Sequence, residues 1–193
     1  MNPIPINLVV EDALSEAVIY KLLYATSRFA VGRSYGKGGY GYIKQRARAF
    51  NNAAKGIPFL ILVDLEDECP PKQVREWLQV PANPNLLFRV AVMEVESWLL
   101  ADRTGFAYFL NIRRELIPEN VDGINDPKRL VIDLARRSRK RTLREAIVPI
   151  PDSTARVGPD YNGQLSSFVL DSWNVEEAIK HSDSLRRAVN AIN

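Results

Sequence analysis

The chain is 193 residues long, 46% hydrophobic and 25% charged, an ordinary balance for a soluble globular protein that buries a core. Its single cysteine, Cys69, excludes an internal disulfide framework, and no apolar stretch is long enough to span a bilayer. A net charge of +3 selects no class of partner. The opening MNPIPINLVVEDALSE lacks a basic start and meets acids at once, so it is a poor secretory signal, and the expected location is cytoplasmic.

Residues 6–10 form a short β-branched run ending at Glu11, which predicts a buried first strand. Asp12 is a candidate N-cap for a helix over 13–25, with Leu14, Ala17, Val18 and Leu22 at helical spacing. Phe29 to Val31 reads as a short second strand. The glycine-rich stretch from Gly32 to Gly41 reads as a loop and not a strand. It lacks the Lys-Ser/Thr ending of a phosphate loop, so it gives no nucleotide site. A second helix carries Ile43, Ala47, Phe50 and Ala54 on one face and Lys44, Arg48 and Lys55 on another.

Phe59 to Val63 is five apolar residues without alternation, the pattern of a central parallel strand covered on both faces. Pro70-Pro71 opens a third helix to about Leu78, and Leu86 to Val95 reads as a fourth strand before a helical turn at Ser97–Ala101. Strands alternating with helices predict a parallel sheet with right-handed crossovers. The second half is helical. Asp126-Pro127 is a helix start, Thr142-Leu-Arg-Glu145 matches a capping box, and Ser182 or Asp183 opens a final helix with Leu185, Ala188, Val189 and Ile192 inward. We expect an α/β core over 1–105 and a helical extension over 106–193 packed on it.

Charge is segregated. Residues 17–63 hold no acid but contain Arg33, Lys37, Lys44 and Arg48, and the acidic run Asp64-Leu-Glu-Asp-Glu68 follows directly. A second basic block, Lys128 to Arg144, includes Arg137 and Lys140. Such blocks suit either solvated helix faces or a phosphate-attracting surface around an acidic site. In open α/β sheets ligands bind beyond the carboxyl ends of the strands. Glu11, then Asp64 with Glu66, then Glu94 with Glu96 fall at three such ends. Carboxylates that close repel one another, and a hard divalent cation such as Mg²⁺ or Mn²⁺ relieves the repulsion. Each acid taken alone also has an ordinary structural reading, as a helix-dipole partner or a turn residue.

Val10-Glu11 after a strand and Val63-Asp64-Leu65-Glu66 after another resemble the two motifs of the toprim fold. More narrowly, Val10-Glu-Asp-Ala-Leu-Ser-Glu16, Glu94-Val-Glu-Ser-Trp-Leu-Leu-Ala-Asp102, Asp126-Pro-Lys128 and Gly158-Pro-Asp-Tyr-Asn162 together resemble the toprim-like family catalogued as domain of unknown function 4276. The resemblance implies a toprim-like, mostly parallel four-stranded sheet flanked by helices. It implies acid/base work or metal ligation by Glu11 and Mg²⁺ binding by Asp64 and Glu66, as in nucleases of the overcoming-lysogenization type. It also implies a bacterial defence or mobile-element setting with an AAA- or ABC-type ATPase partner. Two departures matter: Asp12 stands where toprim usually has Gly, and Glu66 replaces the second Asp.

The expected activity is a Mg²⁺-dependent nuclease, with Glu11, Asp64 and Glu66 catalytic and Glu94 and Glu96 as further metal ligands. Arg33, Lys37, Lys44, Arg48, Arg137 and Lys140 are the candidate nucleic-acid contacts. The alternative is a non-catalytic toprim-like regulator of an ATPase, and a primase-like activity ranks below both for want of a nucleotide signature. Tyr35, Tyr40 and Tyr42 suit base stacking or packing. Trp77, Trp98 and Trp173 are expected in the core, the lone histidine His181 at the surface, and Cys69 without zinc.

Overall fold

β1 (Ile4–Val10) is followed by α1 (Ala13–Thr26), β2 (Phe29–Gly36), α2 (Gly39–Ala53), β3 (Phe59–Asp64), α3 (Pro70–Leu78) and β4 (Leu86–Ala91). The helical half comprises α4 (Val95–Ala101), α5 (Arg103–Leu110), α6 (Pro127–Arg136), α7 (Arg141–Ile147), α8 (Tyr161–Asp171), α9 (Val175–Ala178) and α10 (Asp183–Ile192). The structure is a computed structural model describing residues 2–26, 28–36, 38–65 and 69–193. All strands run parallel in the order β2-β1-β3-β4. This is an α/β, Rossmann-like sheet flanked by helices, with a helical C-terminal region.

The unbroken apolar runs of β1 and β3 have a direct cause: both strands are central, and each buries both faces. Ile6, Leu8 and Val10 of β1, with Leu60 and Leu62 of β3, enter a core shared with α1, α4 and the C-terminal helices. Val9, Ile61 and Val63 point the other way, into a smaller core with Ile43 and Ala47 of α2 and Trp77 of α3. The larger core extends without a break to Ile132, Leu165, Phe168 and Ile192. The second half of the chain therefore shares with α1 the covering of one face of the sheet. Trp77, Trp98 and Trp173 are all buried.

The local helix signals hold. Asp12 accepts from Ser15 N at 2.8 Å, Asp126 from Arg129 N at 2.8 Å, and Ser182 from Leu185 N at 3.2 Å. Thr142 does not cap: α7 begins at Arg141 behind Lys140, without a side-chain cap bond. The glycine-rich stretch is not a loop. Its first half is the end of β2 and its last residues open α2. β2 is a half-exposed edge strand, so it needs no apolar run, and its composition hides it.

Asn7 anchors β2 where the register shifts between Ile6 and Leu8, its side-chain oxygen accepting from Arg33 N at 2.8 Å. Gly36 ends the strand at φ 108°, and a Cβ there would lie 2.0 Å from the Val10 carbonyl oxygen. β4 also stops earlier than expected. Val92 N turns towards Ser184 Oγ at 3.5 Å, and Met93 adopts φ 65°, so the chain leaves the ladder before α4. Among the described residues no helix is long and apolar enough to cross a membrane.

Leu165 sits in α8, far from the sheet in sequence yet in the same core as β1. Leu165→Ala should lower stability by about 2–5 kcal/mol in a single cooperative denaturant transition. Two transitions, only one of them shifted, would contradict a shared core.

Candidate metal centre

Parallel strands deliver their carboxyl ends to one edge, and here that edge is acidic. Glu11 follows β1, and its Oε1 accepts from Asp64 N at 2.9 Å, which ties the ends of β1 and β3 together. Asp64 closes β3 and turns its Oδ1 towards Val95 N, 2.9 Å away in the first turn of α4. Gln73 of α3 donates to the Asp64 carbonyl at 2.9 Å, so both backbone groups of Asp64 are held. Glu94 stands at the N-cap position of α4, but its side chain does not cap that helix. It accepts instead from Lys128 N at 2.8 Å, at the amino end of α6, where the helix dipole favours an anion.

Glu96 is 2% exposed, in the first turn of α4 and not at a strand end. The Tyr161 hydroxyl donates to Glu96 Oε1 at 3.0 Å, and Lys128 Nζ lies 3.6 Å from Glu96 Oε1 and 3.5 Å from Glu94 Oε1. One carboxylate oxygen from each of Asp64, Glu94 and Glu96 lies within 4.8 Å of the others. The cluster holds three carboxylates against one ammonium, a formal charge of 1 − 3 = −2.

Burial, then the neighbouring Glu96 and Glu11 carboxylates, push Asp64 well above the ordinary aspartate range, against the pull of Lys128 and the Val95 amide. Burial likewise pushes Glu96 up; Lys128 pulls it back, and the Glu94 carboxylate adds to the rise. For Lys128, burial alone would lower its affinity for protons, but Glu96, Glu94, Asp64 and Asp12 together hold it above the usual lysine range. Burial and the adjacent Glu96 carboxylate keep the Tyr161 hydroxyl protonated.

Glu94 and Lys128 connect the cluster to a cleft of about 780 Å³ between the segments that follow β3 and β4 and the face of α6. Glu94, Lys128, Arg129, Arg136 and Arg156 line it. Arg129 and Arg136 each pair with the exposed Asp133, at 3.3 and 3.6 Å. Among the described residues Arg156 makes no ion pair.

The sequence-derived candidates fall into distinct places. Asp64, Glu94 and Glu96 converge, and Glu11 joins them through the Asp64 backbone. Glu66 and Lys37 lie outside the described residues. Arg33 is exposed on edge strand β2, and Lys44 and Arg48 are exposed on α2, Lys44 lying 5.8 Å over the Trp77 ring. Arg137 follows the far end of α6 from Lys128, about 13 Å along a helix at 1.5 Å per residue. Lys140 lies 5.7 Å over the Tyr108 ring. Tyr35 packs between Phe50 and Phe59, so its ring belongs to the core. His181 is a surface residue 3.5 Å from Glu177, and Cys69 is exposed.

Sequence reasoning missed Lys128 and Tyr161 as members of the cluster. Each lies in a short Pro-containing segment, Asp126-Pro-Lys128 and Gly158-Pro-Asp-Tyr161, which was the available signal.

Asp64 and Glu96 bind protons more readily folded than unfolded, so they take stability away as pH rises above the carboxylate range. Asp64→Asn keeps an oxygen for the Val95 amide. It should raise the thermal midpoint above wild type at pH 7 without added metal, and the gain should vanish as pH falls towards 3.8, the ordinary aspartate value. A midpoint lowered at pH 7 would contradict the burial argument.

No protein-family model matches the chain, and neither does any curated protein or solved structure.

Proposed function

We propose that the carboxylates of Asp64, Glu94 and Glu96 hold a divalent cation, Mg²⁺ or Mn²⁺, and that the protein hydrolyses phosphodiesters of a nucleic acid. The observation that carries this reading is the partly buried cluster of three carboxylates against one ammonium, whose Glu94 borders a cleft lined by Lys128, Arg129, Arg136 and Arg156. The donor set fits the ion: all three ligands are hard oxygens, and a single divalent charge neutralises the excess. When bound, such a cation lowers the pKa of a coordinated water and stabilises charge on phosphoryl oxygens.

The remaining roles fall to the chain's own groups. Glu11, anchored by Asp64 N beside the cluster, receives the proton of the attacking water. Tyr161 and the α6 amide at Lys128 hold Glu96 and Glu94 in place. The Lys128 ammonium, at the border between the acids and the cleft, neutralises a phosphate oxygen. Arg129, Arg136 and Arg156 grip the phosphate backbone, a contact that weakens with salt. The resemblance to toprim nucleases implies the same roles for Glu11 and Asp64.

One observation favours a second reading. Lys128 Nζ already bridges Glu94 and Glu96, so the protein carries a built-in counter-charge. A non-catalytic toprim-like regulator, of an ATPase for instance, needs nothing more.

Cleavage of a mixed DNA and RNA panel with Mg²⁺ or Mn²⁺ separates the two. Hydrolysis is expected only with metal, and Asp64→Ala and Glu11→Ala should each reduce it by about a hundredfold or more with the fold intact by circular dichroism. Arg136→Gln combined with Arg156→Gln should raise KM, and less so at high salt, with kcat nearly unchanged. No cleavage by wild type, and no rise in its thermal midpoint with either cation, would overturn the catalytic reading in favour of the regulator.

A further inference from the structure

The sheet has an open edge at β4, on the opposite side from β2, and it has the features of a docking site. Phe59 N donates to Asn85 O at 3.0 Å, which sets the phase of the β3–β4 ladder. Because a parallel ladder alternates, the main-chain groups of Leu87 and Arg89 face β3 and those of Phe88 and Val90 face outward. Val92 is the next outward residue, and it is already satisfied: its N–H reaches Ser184 Oγ and its carbonyl accepts from Ser97 Oγ. Among the described residues nothing hydrogen-bonds the outward groups of Phe88 and Val90. Two donors and two acceptors are left in a row, the template on which an added strand forms.

This edge lies at the floor of a groove of about 610 Å³ between α3 and α10. Its two walls differ. Phe88 and Val90 belong to the core on the α3 side, where Val74 and Arg75 form the wall. Arg89 alternates with them and so lies on the α10 side, with Ser184 and Arg187. Arg89 Nε is buried with no hydrogen-bond partner. Neither Arg75 nor Arg89 makes an ion pair among the described residues. The two acids in the groove are occupied. Asp122 accepts from Ser182 Oγ and from the backbone N–H of Asp183 and Ser184, and Asp183 pairs with Arg186 and Arg187. An unsatisfied buried Nε–H costs stability in the free protein, and an anionic partner group that accepts from it removes that cost.

We propose that the β4 edge binds an extended acidic segment of a partner protein, which adds to the sheet as a further parallel or antiparallel strand. Backbone pairing with Phe88 and Val90 supplies affinity. Adjacent acidic residues, which a strand turns to opposite faces, engage Arg89 on one face and Arg75 on the other. A second copy of this chain pairing through β4 would bring its own Arg89 to the same edge, and that like-charge contact argues against a symmetric sheet. The inference is independent of the carboxylate cluster.

A fluorescein-labelled peptide repeating Glu-Glu-Val-Val, which puts acids on both faces of a strand, tests it by anisotropy on the full chain, with a Lys-Lys-Val-Val peptide as control. The Glu peptide should bind and slow amide exchange at Phe88 and Val90. Arg75→Gln combined with Arg89→Gln should weaken it about tenfold or more, as should N-methylation of alternate peptide residues, while the Lys peptide should not bind. Three results would overturn the proposal: no binding of the Glu peptide to wild type, equal binding to the folded double variant, or protection appearing away from β4. Dimerisation of the free chain with the same amides protected would assign the edge to a second copy instead.

Discussion

Carboxylates withdrawn from water need a counter-charge, and this need organises the carboxyl edge of the sheet. Asp64, Glu94 and Glu96 come from two strand ends and a helix turn, and Lys128 comes from a helix more than thirty residues further on. The Lys128 contact joins the α/β half to the helical half at the candidate metal centre. Its backbone N–H and its ammonium both serve Glu94, so the amino end of α6 is docked on the acids twice over. One ammonium against three carboxylates still leaves the site short of positive charge. That deficit separates a candidate metal centre from an ordinary structural ion pair.

Support behind the cluster comes mostly from uncharged groups. Glu11 holds Asp64 N, Gln73 holds the Asp64 carbonyl, and Tyr161 reaches Glu96 from α8. These contacts fix the carboxylates in directions that mutual repulsion would otherwise spread. The shared core behind them, from Ile6 and Leu62 to Trp98 and Leu165, is continuous, so the site rests on a rigid platform. The cationic cleft beside it draws its residues from one face of α6 and the 155–156 loop. The edge groove at β4 shares no lining residue with this cleft, although Val92 of the groove directly precedes Met93 of the cleft.

The sheet was legible because its signals are local or nearly so. A strand buried on both faces shows as an unbroken apolar run, and capping residues such as Asp12, Asp126 and Ser182 act within three residues of themselves. β2 was misjudged beyond Val31 because an edge strand can be glycine-rich and polar, and its pairing is with β1, not with its own neighbours. The end of β4 was misplaced because the ladder stops at Ala91 and Met93 takes φ 65°, which the apolar run through Val95 does not reveal. The acids at the strand ends were visible for the same reason as the strands. Lys128 and Tyr161 were not, since their roles depend on how α6 and α8 dock, and the Pro-containing segments around them mark where those helices start without giving that geometry.

Crystals soaked in Mn²⁺ and measured for anomalous scattering test the central claim most directly. A peak enclosed by Asp64, Glu94 and Glu96, with the Lys128 ammonium displaced towards the cleft, is the predicted result. No peak at saturating Mn²⁺, with Lys128 still between Glu94 and Glu96, would show that the lysine is the cluster's only counter-charge and that the acidic edge is structural.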